Sequence, residues 1–218
     1  MKRLVFLLVI FVTACGSDTN WTCDGDCENG TGTKNWKDGG TENGSWINGK
    51  LNGKGFIFYG ENSDFSNDEY EGEFKDDLFD GYGTYYDFSE DSRYTGQWKN
   101  GKPHGKGKAT WGDKSKFPNR YYEGEWKDGL MHGMGTKFWG QAEVEEFTNN
   151  KYTGEWMNDK MHGVGKYEWA DGSYYEGYWK NGEQHGEGIY VFANGEEFKG
   201  IWVDGYCEEL AKKLELEK

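Results

Sequence analysis

The sequence contains few of the residues that build a large globular core or an active site. Only 34% of its 218 residues are hydrophobic, and proline and histidine occur just two and four times. It has no P-loop, no His-Glu-x-x-His pair and no Gly-x-Ser-x-Gly nucleophile motif. These absences argue against a large packed core and against the common hydrolases and nucleotide-binding enzymes. We therefore expect no enzymatic activity and no cofactor.

Positive charge is also scarce. The chain has 25 Lys and Arg against 39 Asp and Glu, a formal net charge of −14. This balance disfavours binding to nucleic acid or general adhesion to anionic lipid, both of which need a cationic surface. The acidic residues concentrate in 61–91, and a basic block follows in 93–120. The two blocks are interpreted either as an interaction patch or, the simpler account, as neighbouring hairpins that attract each other.

Glycine and aromatic residues are abundant, and they occur in a repeat that is clearest at Tyr122–Gly135. The chain has 35 Gly, 11 Trp, 15 Tyr and 13 Phe. The complete copies read Tyr-x-Gly-x-Trp, a turn, then His-Gly-x-Gly, and the copy from Tyr70 keeps this frame with Phe74 and Asp80 as substitutions. The repeat residues are Tyr70, Gly72 and Phe74; Tyr94, Gly96, Trp98 and His104; Tyr122, Gly124, Trp126 and His132; Tyr152, Gly154, Trp156 and His162; Tyr175, Gly177, Trp179 and His185; and the half copy Phe198, Gly200 and Trp202. A weaker copy begins at Gly44.

The spacing within each copy predicts a β-hairpin. Tyr94, Gly96 and Trp98 are two residues apart, so on a strand they share one face. Turn-forming residues follow, and then Gly105, Gly107 and later residues alternate again. Because glycine weakens a strand, its place between aromatic residues needs a cause, and we interpret each glycine as a socket for a neighbouring ring.

The pattern resembles the MORN repeat family (membrane occupation and recognition nexus) over residues 44–205. This resemblance implies an all-β fold, an elongated single twisted antiparallel sheet of stacked hairpins, and a scaffold with no single activity. We expect a degenerate first hairpin over 23–43 that closes one end. At the other end, 206–218 carries Leu210 and Leu214 four residues apart, which predicts a short helix that covers the last strand.

The four histidines occupy one position of the repeat, and this position limits their role. In other copies the same place holds Asp80, Asn52 and Asn29. A role that Asp and Asn can share is hydrogen bonding to the backbone of a turn, whereas a general base or a zinc ligand is not interchangeable in this way. We therefore predict neither a catalytic histidine nor a metal site.

The first fourteen residues differ from the rest of the chain. Lys2 and Arg3 precede a short apolar run, a pattern typical of a secretory signal peptide. The run is too short to cross a bilayer as a helix. Its end, Val12-Thr-Ala-Cys15, resembles the lipobox of bacterial lipoproteins. This resemblance implies lipidation of Cys15 and a tether over 15–22. The alternative is ordinary cleavage after Ala14, which would leave Cys15 without a lipid.

This resemblance also predicts where the protein is located in the cell. It implies a protein anchored by acyl chains in the bacterial cell envelope, an attachment that is effectively permanent. Enteric lipoproteins use an acidic residue after the cysteine as an inner-membrane retention signal, and here Gly16 takes that place. The expected location is the outer membrane, facing the periplasm.

The remaining cysteines lie in the exported part of the chain. Cys23 and Cys27 flank a glycine and are predicted to form a disulfide. A metal site at this pair would lack a second pair of ligands. Cys207 has no obvious partner in the sequence.

Two functions fit these features. The first is a protein-interaction scaffold with an envelope protein as partner, in which the long connectors 63–68, 113–120 and 141–150 contribute specificity. The alternative is a carbohydrate or cell-wall binding module, with a cell-wall polymer stacked on the aromatic faces. Since the rings alternate with glycine sockets, we expect them to be used internally and favour the scaffold.

Overall fold

The computed structural model describes residues 20–141 and 148–216, so the predicted signal peptide, Cys15 and part of the connector 141–150 lie outside the described residues. Within these ranges the chain forms fifteen strands and one helix. The strands are β1 (Trp21–Gly25), β2 (Thr31–Trp36), β3 (Thr41–Ile47), β4 (Lys50–Phe58), β5 (Glu69–Lys75), β6 (Leu78–Asp87), β7 (Ser92–Lys99), β8 (Lys102–Trp111), β9 (Tyr121–Lys127), β10 (Leu130–Phe138), β11 (Lys151–Met157), β12 (Lys160–Glu168), β13 (Tyr174–Lys180), β14 (Glu183–Val191) and β15 (Glu197–Trp202), and the helix is α1 (Glu208–Leu216).

The chain divides into two compact units, Met1–Lys116 and Phe117–Lys218. In the first unit β1 to β8 form an antiparallel sheet in which each strand pairs with the next along the chain, and in the second unit β9 to β15 do the same. The prediction of an all-β fold built from antiparallel hairpins is confirmed.

The hairpin of β7 and β8 illustrates the local geometry. Tyr94 pairs with Ala109 and Gly96 with Gly107, after which the register shifts by a bulge before Trp98 pairs with Pro103. The turn contains Asn100 at φ 49° and Gly101 at φ 75°. Two successive residues with positive φ are typical of the turn that best matches the twist of paired strands, and asparagine followed by glycine is its preferred sequence.

The core of each unit lies on one face of its sheet, which we call the ring face. The motif tyrosines and tryptophans point to this face and are buried. Glycine is required beneath them: a Cβ at Gly154 would lie 2.5 Å from the Cα of Gly165 and 2.6 Å from the hydroxyl oxygen of Tyr152. This geometry agrees with the interpretation of the glycines as sockets.

Both ends of the chain add to the repeats. The predicted hairpin at 23–43 is present as β1 and β2, displaced so that β3 already begins at Thr41. Cys23 and Cys27 form a disulfide, as predicted, while Cys207 is buried and unbonded. The predicted C-terminal helix is α1, which packs beside β15, and its Lys213 forms an ion pair with Glu196, the residue before that strand. No helix in the described part of the chain is long and apolar enough to cross a membrane.

Candidate functional site

The five motif tyrosines are all fixed in the same way. Each hydroxyl donates a hydrogen bond to the carbonyl oxygen three residues later, within the same strand. The pairs are Tyr70 to Glu73, Tyr94 to Gln97, Tyr122 to Glu125, Tyr152 to Glu155 and Tyr175 to Tyr178, at 2.9 to 3.1 Å. Burial raises the pKa of the phenols of Tyr70, Tyr94, Tyr152 and Tyr175, at Tyr175 to about 12. Each tyrosine is therefore a neutral structural donor.

The motif tryptophans link one hairpin to the next. The indole N–H of Trp98 donates to the carbonyl of Gly83, that of Trp156 to Gly135 and that of Trp179 to Gly165. Each tyrosine ring meets the tryptophan or phenylalanine four residues later nearly at right angles, with centroids 4.9 to 5.3 Å apart. Such edge-to-face pairs stabilise beyond their buried area. The half copy Phe198, Gly200 and Trp202 continues this ring packing on β15.

The burial of these rings decides what they can bind. Tyr70, Tyr152 and Tyr175 are completely inaccessible to solvent, and the motif tryptophans are nearly so. A sugar or a quaternary amine must reach the flat face of a ring in order to stack on it. The motif rings thus hold the sheets together, and their faces are not accessible to a ligand.

The histidine position lies beside the turn of the following hairpin. Where it holds Asn29, Asn52 or Asp80, the side-chain oxygen accepts a hydrogen bond from the backbone N–H of Asn48, Asp76 or Asn100, respectively. His104 takes the same place on β8. The Nδ1 atoms of His132, His162 and His185 are buried without a hydrogen bond, although that of His185 lies 3.4 Å from Asp204. No group of three or more potential metal ligands occurs among the described residues.

The sheet face opposite the rings, here called the outer face, differs between the units. In the second unit it carries Met134 on β10, Val164 on β12, Tyr178 on β13 and Ile201 on β15, about half exposed or more. Val164 and Tyr178 are strand partners, while Met134 is opposite Glu155 and Ile201 opposite Glu187. We call these four side chains the apolar row. Large apolar side chains grouped on one exposed face of a sheet are a common feature of interaction sites.

In the first unit the outer face contains a groove of about 510 Å³. Its floor is the backbone of the paired glycines Gly55, Gly72 and Gly83, which come from β4, β5 and β6. Its sides are formed by outward-pointing residues of the same strands and one residue of β3: Asn43, Lys54, Phe56, Glu71, Glu73, Tyr82 and Thr84. The groove therefore combines two aromatic rings with two carboxylates.

One core position in the first unit is occupied by a carboxyl group. Glu42 on β3 stands where the other copies have the motif tyrosine, and only 7% of it is exposed. Burial raises the pKa of Glu42 to about 7, although Lys34, its strand partner, partly offsets the shift. Glu42 therefore holds its proton in the folded protein at pH values where an exposed glutamate has lost it.

This shift predicts a pH-dependent stability. The unfolded chain releases the Glu42 proton near pH 4.5 and the folded protein near pH 7, so the contribution is fully present below about pH 4.5 and is lost as the pH rises to about 7. At about 1.4 kcal/mol per pKa unit, the loss is at most about 3 kcal/mol. Urea unfolding of Glu42→Gln between pH 4.5 and 8 should give a flatter profile than the wild type. Glu176→Gln, which removes an exposed charge, is the control, and parallel profiles for wild type and Glu42→Gln would contradict this prediction.

The structure thus defines a class of protein: stacked β-hairpins whose repeated aromatic rings are buried by packing and whose outer face carries side chains that vary between copies. The family model described as "MORN repeat" matches residues 43–62, 70–91, 94–116, 122–141, 152–174 and 175–197. These segments make up more than half of the chain, and the chain belongs to the MORN repeat family. A sheet of MORN repeats is typical of binding and scaffold proteins.

Comparison with other proteins adds the following. No curated protein matches the chain. One similar solved structure is the TCP domain of SAS-4 (dCPAP) in complex with a proline-rich motif of Ana2 (dSTIL) of Drosophila melanogaster. It is 12% identical, with a TM-score of 0.45, and the match covers 82% of this chain and 88% of that chain.

Sequence reasoning missed the residues of the outer face. The signal that could have found them is the middle residue of each Gly-x-Gly, because the flanking glycines belong to the ring face and the residue between them must point the other way. These residues are Lys54, Tyr82, Lys106, Met134, Val164 and Glu187. They comprise five residue types in six copies, as expected for positions that the packing of the rings does not constrain.

Proposed function

We propose that this protein is a non-enzymatic scaffold of the bacterial cell envelope, anchored by a lipid at Cys15, which binds an envelope protein through its outer face. The observation that carries the proposal is the apolar row. Four large apolar side chains are exposed on β10, β12, β13 and β15 of one unit, on the face that the packing of the rings leaves open; Val164 and Tyr178 are direct strand partners, and Glu155 and Glu187 are opposite the other two. Covering such side chains with a partner removes apolar surface from water and is favourable.

The partner claim is tested by changing the apolar row. Val164→Lys together with Ile201→Lys places two charges among exposed side chains, so folding should persist while capture of purified envelope proteins falls by tenfold or more. Burial of an unpaired charge in an interface has a high free-energy cost. Thr153→Lys, on the same face of β11 and outside the row, is the matched control and should leave capture nearly unchanged.

The same experiment separates the alternative function. A cell-wall or carbohydrate binding module would retain purified wall polymer in place of envelope protein. The buried motif rings give this alternative no support, because their faces are inaccessible to a sugar. Retention of wall polymer by the wild type, unchanged in the Val164→Lys and Ile201→Lys variant, would replace the scaffold proposal.

The anchor is tested separately. Cys15→Ser removes the thiol to which the lipid would be attached, so the variant should move completely from the membrane fraction to the soluble fraction of fractionated cells. Buried acyl methylenes contribute about 0.8 kcal/mol each, so an anchor of several chains leaves almost no soluble protein in the wild type. Mass spectrometry of the native N-terminus supplies the control. A variant that still sediments with membranes, together with a native N-terminus that carries no acyl mass, would contradict the lipoprotein proposal.

A further inference from the structure

We propose that the groove on the outer face of the first unit binds an arginine or lysine side chain of the partner polypeptide. The inference rests on the proposed scaffold function and adds the chemistry of the partner. It is carried by two carboxylates that have no hydrogen bond or ion pair within the described part of the chain, two aromatic rings that border them, and the charge of the surrounding residues.

The carboxylates come from one strand. Glu71 and Glu73 are exposed, lie two residues apart on β5 and line the same groove. Neither carboxylate has a hydrogen bond or an ion pair to a described residue. This distinguishes Glu73 from its counterparts Gln97, Glu125 and Glu155, whose side chains accept a hydrogen bond from the backbone N–H of Lys106, Met134 and Val164, respectively. The carboxylate of Glu73 lies over Gly81 at the bulge, as those of Glu125 and Glu155 lie over Gly133 and Gly163, but its oxygens accept no hydrogen bond from a described residue and can accept one from a ligand.

Aromatic rings border both carboxylates. Phe56 on β4 is the strand partner of Glu71, and Tyr82 on β6 lies beside Glu73 past the bulge. Tyr82 is 58% exposed, which leaves its ring accessible from the groove. A cation near the face of such a ring is attracted by its electron density, and arginine can stack on it while donating to a carboxylate.

The charge around the groove selects a cation. Residues 61–91, from which most of the groove is built, contain twelve acidic residues and only one basic residue, Lys75. An anionic ligand would be repelled by this field, whereas a basic one would be attracted. Lys54 is the single cation in the lining and is the strand partner of Glu73. Because Lys54 competes for the same carboxylate, its removal should strengthen binding.

The test uses the full chain and a capped pentapeptide with one central arginine among four glycines. In two-dimensional NMR titration the peptide should shift the backbone amides of Gly55, Gly72 and Gly83, which form the floor of the groove. Glu71→Gln, Glu73→Gln and Tyr82→Leu should each weaken binding about two- to fivefold, the range expected for one exposed ion pair or cation–π contact. Lys54→Gln should tighten binding by a similar factor, and added salt should weaken it.

Two controls make the outcome specific. Glu176 follows the motif tyrosine of its copy in the second unit, as Glu71 does in the first unit. Glu176→Gln should therefore leave the affinity for the arginine peptide unchanged. A peptide with glutamine in place of arginine should not shift the three glycine amides. Equal affinity of the wild type and the Glu71→Gln and Glu73→Gln variants, with native spectra for both variants, would overturn the proposal. So would stronger shifts with choline than with the arginine peptide, since the occupant would then be a small quaternary amine.

The groove and the scaffold function can fail independently. If the arginine peptide does not bind while the wild type still captures envelope proteins, the groove inference is wrong and the scaffold function stands. If the peptide binds but no envelope protein is captured, the scaffold function is wrong and the groove remains a cation-binding site.

Discussion

Gly154→Val is expected to lower the free energy of unfolding by about 4 kcal/mol or more, a loss larger than most core substitutions cause. A Cβ at this position would lie 2.5 Å from the Cα of Gly165, its strand partner, and 2.7 Å from the carbonyl oxygen of Val164. Both are backbone atoms of the adjacent strand, so they cannot move away without breaking the strand pairing. The hydroxyl oxygen of Tyr152, 2.6 Å from the same point, would be displaced as well.

The matched control for Gly154→Val is Thr153→Val, one residue earlier on the same strand. Thr153 points to the outer face and is exposed, and its only side-chain hydrogen bond among the described residues joins it to Thr136. Introducing the same valine there should change the free energy of unfolding by under about 1 kcal/mol, within the range of strand propensity. Urea unfolding of both variants measures the difference. If the two variants unfold at the same urea concentration, close packing of rings on glycine is not what stabilises the sheet.

The ring face could be predicted from the sequence because it obeys a strict period. Tyr152, Gly154 and Trp156 are two residues apart, and a strand places such residues on one face whatever surrounds them. The turn can also be recognised from the sequence, since asparagine or aspartate followed by glycine strongly favours a tight hairpin turn. Hairpins, their order and the face that forms the core therefore follow from local rules.

The bulge between the two strands of a hairpin could not be predicted from that period. In the hairpin of β11 and β12, Gly154 pairs with Gly165 but Glu155 already pairs with His162. Two extra residues are absorbed at Gly163, whose φ is 55°, a conformation open to glycine at little cost. In the sequence Gly163 is one of 35 glycines, and nothing in its neighbourhood distinguishes a bulge from a socket for a ring.

The outer face could not be predicted for a different reason. Its side chains obey no repeat: the residue between the paired glycines is a lysine at Lys54, a tyrosine at Tyr82 and a valine at Val164. The groove arises only when residues of four strands are brought together, with Phe56 and Tyr82 separated by 25 intervening residues in the chain. The buried Glu42 was missed because it replaces a motif tyrosine, and a substitution in one copy resembles a weak match rather than a core position.

The two faces of each sheet are divided in their contribution to stability, because only the ring face is packed. Tyrosine, glycine and tryptophan of each copy make the same contacts in both units, so the outer residues of a copy can change without loss of the hairpin. The acidic groove of the first unit and the apolar row of the second are two outcomes of this division.

Tyr70→Ala should destabilise the first unit by about 4 kcal/mol, as expected for loss of a fully buried aromatic side chain. Tyr70 is completely inaccessible; its ring stacks on Phe79 with centroids 3.6 Å apart and meets Phe74 and Trp98 edge to face. Its hydroxyl donates to the carbonyl of Glu73 at 3.1 Å. Tyr70→Phe keeps the ring and removes only this hydrogen bond, so it should cost about 1 kcal/mol.

Tyr82→Ala is the control for the loss of a tyrosine ring, because Tyr82 lies on the neighbouring strand but points to the outer face. With more than half of the side chain already in water, its removal should change the free energy of unfolding by under about 1 kcal/mol. Thermal and urea unfolding of the three variants, followed by tryptophan fluorescence, give the comparison. Equal destabilisation by Tyr70→Ala and Tyr82→Ala would mean that the ring face does not form the core of the first unit. A loss in Tyr70→Phe as large as in Tyr70→Ala would place the stabilisation in the hydroxyl hydrogen bond instead of in the packing of the rings.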